Sequence, residues 1–283
     1  MATATASGAT VDRSDEALTY RRDWWWVFPI VTLVVYTAFI VYATFRFMEP
    51  VIVARDDFAA YAGFYLADNG HFHYASPFGT PDLTFLVPAF LHSVPFLGQL
   101  VRSPAFIILP FPAGFRFTCY YYRKSYYRAF TARPYACGVP AYKGFGYRGE
   151  RGILLLQNLH RYFLYAAIVI TLFLAYDAIR SVITPHGLYF GLGSALMLVN
   201  VVFLMLYTFG CHSFRHLVGG KIDVFSCDPL AKWRYGFWSK VTMLNDRHAL
   251  WAWLSLISVA STDVYIRFLI QHPGMTHILG VPV

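Results

Sequence analysis

GLGSALMLVNVVFLMLYTFGCHSFRHLVGG, residues 191–220, decides the fold. Its first half carries no charged side chain, and crossing about 30 Å of hydrocarbon takes roughly 20 predominantly apolar residues. The stretch therefore reads as a membrane-spanning helix over 189–211. It ends on a thiol, two imidazoles and a guanidinium: Cys211, His212, His216 and Arg215. One basic residue is enough to anchor a helix end at the headgroups. The cysteine and the histidines need another reason.

The rest of the chain fits a membrane setting. Of 283 residues, 57% are hydrophobic and only 13% charged, about half the charge of a soluble domain. The net charge of +8 would suggest nucleic acid in a soluble protein. Here the basic residues fall between apolar spans, which excludes that class. Beside 189–211, four more stretches qualify as spans: 24–45, opened by a WWW anchor, then 98–122, 152–177 and 247–269. The second is interrupted by Arg102, Pro104, Pro110, Pro112 and Arg116, which predicts a kinked helix. Thr84 to Leu97 is too short and proline-broken to span and reads as an interfacial or re-entrant piece.

Loop charge gives the orientation. Residues 123–151 hold seven basic residues against Glu150, and 212–247 hold six against three acidic ones. The loop from Glu49 to Leu97 holds five acidic residues and Arg55 alone. The positive-inside bias makes both basic loops cytoplasmic. The expected architecture is an all-α integral membrane protein of the inner (plasma) membrane, with five transmembrane helices, helices two to five bundled, and the N-terminus cytoplasmic. Residues 1–23 are expected to be a disordered cytoplasmic arm without a signal-peptide pattern, 24–270 the membrane domain and 271–283 a periplasmic tail. Asp263 and Arg267, four apart near the outer end of the last span, are expected to pair with each other.

The two basic hairpins resemble one another. The second span ends FRFTCYYYRKSYYR and the fourth YTFGCHSFRHLVGG, each with Cys-x-x-x-Arg at its edge: Cys119 with Arg123, and Cys211 with Arg215. Each is followed by a loop cysteine ahead of a proline, Cys137 and Cys227. Each hairpin re-enters on an Arg–His pair, His160–Arg161 and Arg247–His248. A lone membrane cysteine is ordinarily a packing residue and an interfacial histidine an anchor. Three landmarks in the same order, which put four thiols and imidazoles at one depth on the cytoplasmic side, point instead to a site. Two cysteines and two histidines are the ligand set of a Rieske-type [2Fe–2S] centre, and Cys119, His160, Cys211 and His248 are the expected metal ligands. Zinc takes the same donors but has no redox chemistry. The alternative is a b-type haem clamped between His160 and His248, which leaves both cysteines unused. Cys137, Cys227, His212 and His216 stay open as substitutes. For a quinone, the candidate donors are Arg116 inside the second span, Tyr120 and Arg161. His71 and His73, in the aromatic and acidic outer loop, read as part of an interfacial hairpin rather than a metal site.

FRFTCYYYRKSYYRAF, LQNLHRYFLY, GCHSFRHLVGG and NDRHALWAWLSL together resemble the membrane anchor subunit of the actinobacterial type F succinate dehydrogenase, the mycobacterial succinate dehydrogenase 1, over residues 80–270. The resemblance implies a respiratory complex II with cytoplasmic flavoprotein and iron–sulfur subunits, menaquinone as acceptor, and a membrane-embedded Rieske-type cluster in place of haem. The chain itself has no GxGxxG and no run of cysteines, so succinate chemistry belongs to the partners.

Overall fold

In the computed structural model of the chain, the described residues are 23–53, 64–66, 73–79, 83–131, 152–184, 187–220, 222–226, 228–272 and 280–282. The arm up to residue 22, His71, Cys137, Cys227 and most of the tail after 272 lie outside them.

Among the described residues, four helices are long and apolar enough to cross a membrane. The first, α1 (Val27–Val53), opens after the tryptophans. Three short helices then replace a single second span: α2 (Leu97–Leu100), α3 (Pro104–Ile108) and α4 (Pro110–Phe117). Two of them restart on a proline, whose missing N–H costs nothing in a first turn but breaks an interior one. The apolar piece 104–117 falls short of a full crossing. A further helix, α5 (Tyr120–Thr131), carries Arg123, Lys124 and Arg128 onward. Next come α6 (His160–Arg180), entered through a 3-10 turn over Gly152–Leu159, and α7 (Leu192–Phe209). Short α8 (His212–Gly219), then α9 (Pro229–Asp246) and α10 (His248–Gln271) complete the helices. The seam between α7 and α10 is the most extensive contact among the described residues, followed by α6 with α7, then by α8 with α9 and α4 with α6 alike. At the last of these, Gly114 lets the Phe163 ring lie 2.4 Å from where a Cβ would be.

Short strands lie between the helices among the described residues. Strands β1 (Phe64–Leu66) and β2 (His73–Ala75) form an antiparallel hairpin with Tyr65 opposite Tyr74. Tyr74 and Ala75 of β2 and, just after it, Ser76 and Phe78 are buried in the bundle. A second set of strands, β3 (Ile183–Thr184), β4 (Gly187–Gly191) and β5 (Gly280–Pro282), is antiparallel throughout.

Charge is buried between the end of α1 and the second half of α10. Arg46 and Glu49 on α1 and Asp263 on α10 are each no more than 3% exposed. Asp263 accepts from Arg46 Nε at 2.8 Å and Nη2 at 3.2 Å, and from the hydroxyls of Tyr42 and Ser76. Glu49 pairs with Arg46 and takes two N–H groups of Arg267 at 2.5 and 2.7 Å. The expected Asp263–Arg267 pair is thus replaced: each finds its partner on α1, one turn apart, and two arginines balance two carboxylates. Glu49, assigned to an outer loop from the sequence, belongs to α1.

Candidate functional site

Four helix breaks make the site. Cys119 falls between α4 and α5, and Cys211 between α7 and α8. His160 is the first residue of α6 after the 3-10 turn, and His248 is the first of α10 after the break at Arg247. At a fresh helix start the backbone N–H groups are unsatisfied and favour negative charge nearby. Cys211 uses this directly, because its Sγ accepts the Ser213 N–H at 3.3 Å. After Cys119 the chain likewise starts a helix, at Tyr120. The break at Cys211 is itself supported from α9, where Asn245 donates to the Gly210 carbonyl at 2.8 Å.

The four side chains meet as two mixed pairs. Cys119 Sγ lies 3.5 Å from His248 Nε2, and His160 Nε2 lies 3.0 Å from Cys211 Sγ. Both thiols are free and buried, in one cluster with Phe115, Tyr122, Tyr207 and Ala252. The tautomer of His160 follows from its neighbours. The Thr118 hydroxyl donates to the Gly114 carbonyl at 2.7 Å, so toward His160 Nδ1, 2.9 Å away, it accepts. The proton is therefore on Nδ1, and the bare Nε2 faces sulfur. A ring nitrogen held this way is how proteins orient a metal-binding imidazole. His248 differs, for its Nδ1 is buried without a partner.

Aromatic rings cover one face of each imidazole. Phe115 stacks on His160 at 4.6 Å with 4° between planes, and Tyr207 on His248 at 4.9 Å with 16°. Phe115 and Tyr207 meet edge-on at 5.4 Å. A haem clamped by both histidines needs an open slot between two imidazole edges. Here those edges meet thiols and one face of each ring is covered. Among the described residues, no group of three or more His, Cys, Asp or Glu side chains gathers tightly enough for one metal ion. A [2Fe–2S] rhomb does not ask for one, since each iron takes two protein ligands. In a Rieske-type group both imidazoles share one iron and both thiolates the other; the four donors that would hold it are gathered here, and their close contacts run from thiol to imidazole, at 3.5 Å and 3.0 Å.

Arg116 is spoken for. It donates to the Tyr122 hydroxyl, to Ala252 O at 3.3 Å and to Ser255 Oγ at 3.1 Å, and it lies 4.8 Å over the Tyr207 ring. Tyr120 is 69% exposed and Arg161 is exposed, so these two face outward while Arg116 faces the site. His212 and His216 are exposed and belong to neither pair. The sequence did not single out Thr118 or Phe115; the signal was their place just before Cys119 in FRFTC. Tyr207, one turn before Cys211, was equally readable by spacing.

A family model for actinobacterial succinate dehydrogenase subunit SdhC matches residues 27–272. The chain belongs to this family. It is a membrane anchor subunit of an actinobacterial succinate dehydrogenase, a respiratory complex II. Among solved structures it is similar to a chain of the Mycobacterium smegmatis Sdh1 complex in the apo form, at 39% identity and a TM-score of 0.73. That match covers 95% of this chain and 96% of the other. No curated protein matches the chain. For an SdhC-family subunit, the four apolar helices supply the membrane setting, and the buried thiol–imidazole pairs are the feature an anchor does not need.

Proposed function

We propose that this SdhC-family chain is the electron-transfer subunit of a succinate:menaquinone oxidoreductase and holds a Rieske-type [2Fe–2S] group on Cys119, His160, Cys211 and His248. Two buried thiols, each within reach of an imidazole nitrogen, carry the reading. When bound, such a group supplies one-electron transfer at a potential that imidazole ligation raises. The chain's own residues prepare for it. Thr118 fixes His160 with a bare Nε2, the helix starts after Cys119 and Cys211 offer N–H groups to sulfur, and Phe115 and Tyr207 exclude water. Zinc fits the donors as well, but a structural metal does nothing for an oxidoreductase anchor.

The loop charges support five membrane segments in this reading, with the broken stretch 98–122 as the second, the N-terminus in the cytoplasm and the C-terminus outside. The flavoprotein and iron–sulfur subunits then dock on the cytoplasmic side, next to the cysteines, at the inner membrane. Tyr120 and Arg161 face the bilayer as donors for the quinone headgroup. Arg116 serves from within, tying α4 to α10 beside the site.

The test is a spectrum of the purified complex reduced with dithionite. A rhombic [2Fe–2S] EPR signal that disappears in His160→Ala/His248→Ala, with succinate oxidation by a soluble dye retained and quinone reduction lost, supports the reading. A haem Soret band in its place, or full quinone activity in the double variant, overturns it.

A further inference from the structure

One exposed stripe runs from α9 into α10. On α9 it holds Leu230, Trp233, Phe237, Lys240 and Met243, all exposed and spaced three or four apart, which puts them on one helix face. Arg247 and Leu250 carry it past the break between the helices, and Ile257 and Val264 continue it along α10. There the helix is long and apolar enough to cross a membrane, so this face meets lipid. The opposite face of α9 is occupied by α8: Arg234 donates to the Val218 and Gly220 carbonyls at 2.8 and 3.0 Å, and Arg215 lies 4.4 Å over Trp238. Nothing described covers the stripe itself. Trp233 and Met243 are 66% and 70% exposed, and Trp233 stacks on Phe237 with centroids 5.9 Å apart.

We propose that α9 lies along the membrane surface at which α10 begins, its apolar stripe in the headgroup region and Lys232 and Lys240 on anionic lipid headgroups. The inference needs α10 in a membrane and is independent of the [2Fe–2S] reading. The 24 residues of α10, at about 1.5 Å each, already fill the roughly 30 Å hydrocarbon core. The stripe therefore keeps its lipid on α9 only if α9 runs along the surface. The break lets it leave the axis of α10: Arg247 has φ −108° and ψ 19°, and its N–H reaches back three residues, to Leu244 O at 3.2 Å. Tryptophan favours the headgroup level, and a helix with one apolar face and basic residues beside it lies in the interface plane. Lysines near the surface are drawn to anionic lipids and extend their stems along apolar surface to reach them. Asn245 of the same helix donates to the Gly210 carbonyl at 2.8 Å, so lipid contact along α9 braces the break that presents Cys211.

The test uses the assembled complex in nanodiscs of phosphatidylcholine and phosphatidylglycerol. Photoreactive p-benzoylphenylalanine replaces Trp233 or, as the reference for lipid contact on α10, Val264. Illumination at the Trp233 position is expected to give lipid adducts richer in phosphatidylglycerol than those at the Val264 position. Lys232→Glu/Lys240→Glu should remove that enrichment. A cross-link from the Trp233 position to another subunit overturns the inference and makes the stripe a protein interface. No lipid adduct there, while the Val264 position gives one, overturns it as well. Lipid adducts without enrichment overturn the part assigned to the lysines. No adduct at either position removes the premise that this face of α10 meets lipid, and the inference with it. If the substituted complex does not assemble, tryptophan emission decides. Trp233→Phe must then lower the share of emission that brominated phosphatidylcholine quenches, and an unchanged share sinks the inference.

Discussion

Replacing Asp263 by asparagine removes one charge from a buried cluster of four and leaves its shape nearly intact. Asp263 is fully buried and accepts from Arg46, Tyr42 and Ser76. The substitution leaves two guanidinium groups facing Glu49 alone, on α1 and α10. Breaking a buried pair from one side costs about 3–5 kcal/mol, because the other charge stays uncompensated. An ordinary polar contact between membrane helices is worth only about 0.6 kcal/mol and at most about 1.7. Ser258→Ala, which removes a 3.0 Å bond from α10 to Asn200 Oδ1 on α7, supplies that comparison on the same helix. The Asp263→Asn loss, about 3–5 kcal/mol, should therefore exceed that of Ser258→Ala, about 0.6 and at most about 1.7 kcal/mol, measured by SDS-driven unfolding of the purified chain in mixed micelles. Pairing Asp263→Asn with Arg46→Met closes a double-mutant cycle. The account requires the double variant to be clearly more stable than the sum of the two losses. Strict additivity, or an Asp263→Asn loss no larger than that of Ser258→Ala, refutes the claim that α1 is held by paired charge.

Thr118→Ala frees His160 Nδ1 and should weaken iron retention by about 10–100-fold, as removal of a histidine's orienting partner does elsewhere; Thr118→Ser keeps the oxygen and should retain the metal, read as iron per complex after a timed chelator challenge. At Gly193 an added Cβ would lie 2.6 Å from the Tyr74 ring. Gly193→Val should therefore unseat the loop behind β2 at a cost of about 1–3 kcal/mol, seen as faster proteolysis between β1 and β2 with the site's spectrum unchanged.

Much of this was legible in the sequence, for physical reasons that differ by element. Uninterrupted apolar runs announced α1, α6, α7 and α10, since hydrocarbon tolerates little else at that length. The proline-rich 98–122 announced a disturbance but not its form; of the three short helices, two start on a proline, Pro104 and Pro110. The pairing of Cys119 with His248 and of His160 with Cys211 was not readable, because depth along a helix says nothing about rotation around it. The aromatic cover was hidden for the same reason, as Phe115 and Tyr207 look like any other membrane aromatics. The charge cluster was half visible. Asp263 and Arg267 sit in an apolar run and invited a local pair, while Arg46 and Glu49 looked like the membrane edge. Only the packing of α1 against α10 brings the two halves together.

The most direct test of the central claim is a difference in composition. Non-haem iron and acid-labile sulfide are counted in the intact complex and in the same complex carrying Cys119→Ala/Cys211→Ala, so that clusters of the partner subunits cancel. The account predicts two iron and two sulfide more per complex in the wild type. Equal counts in the two preparations would contradict it.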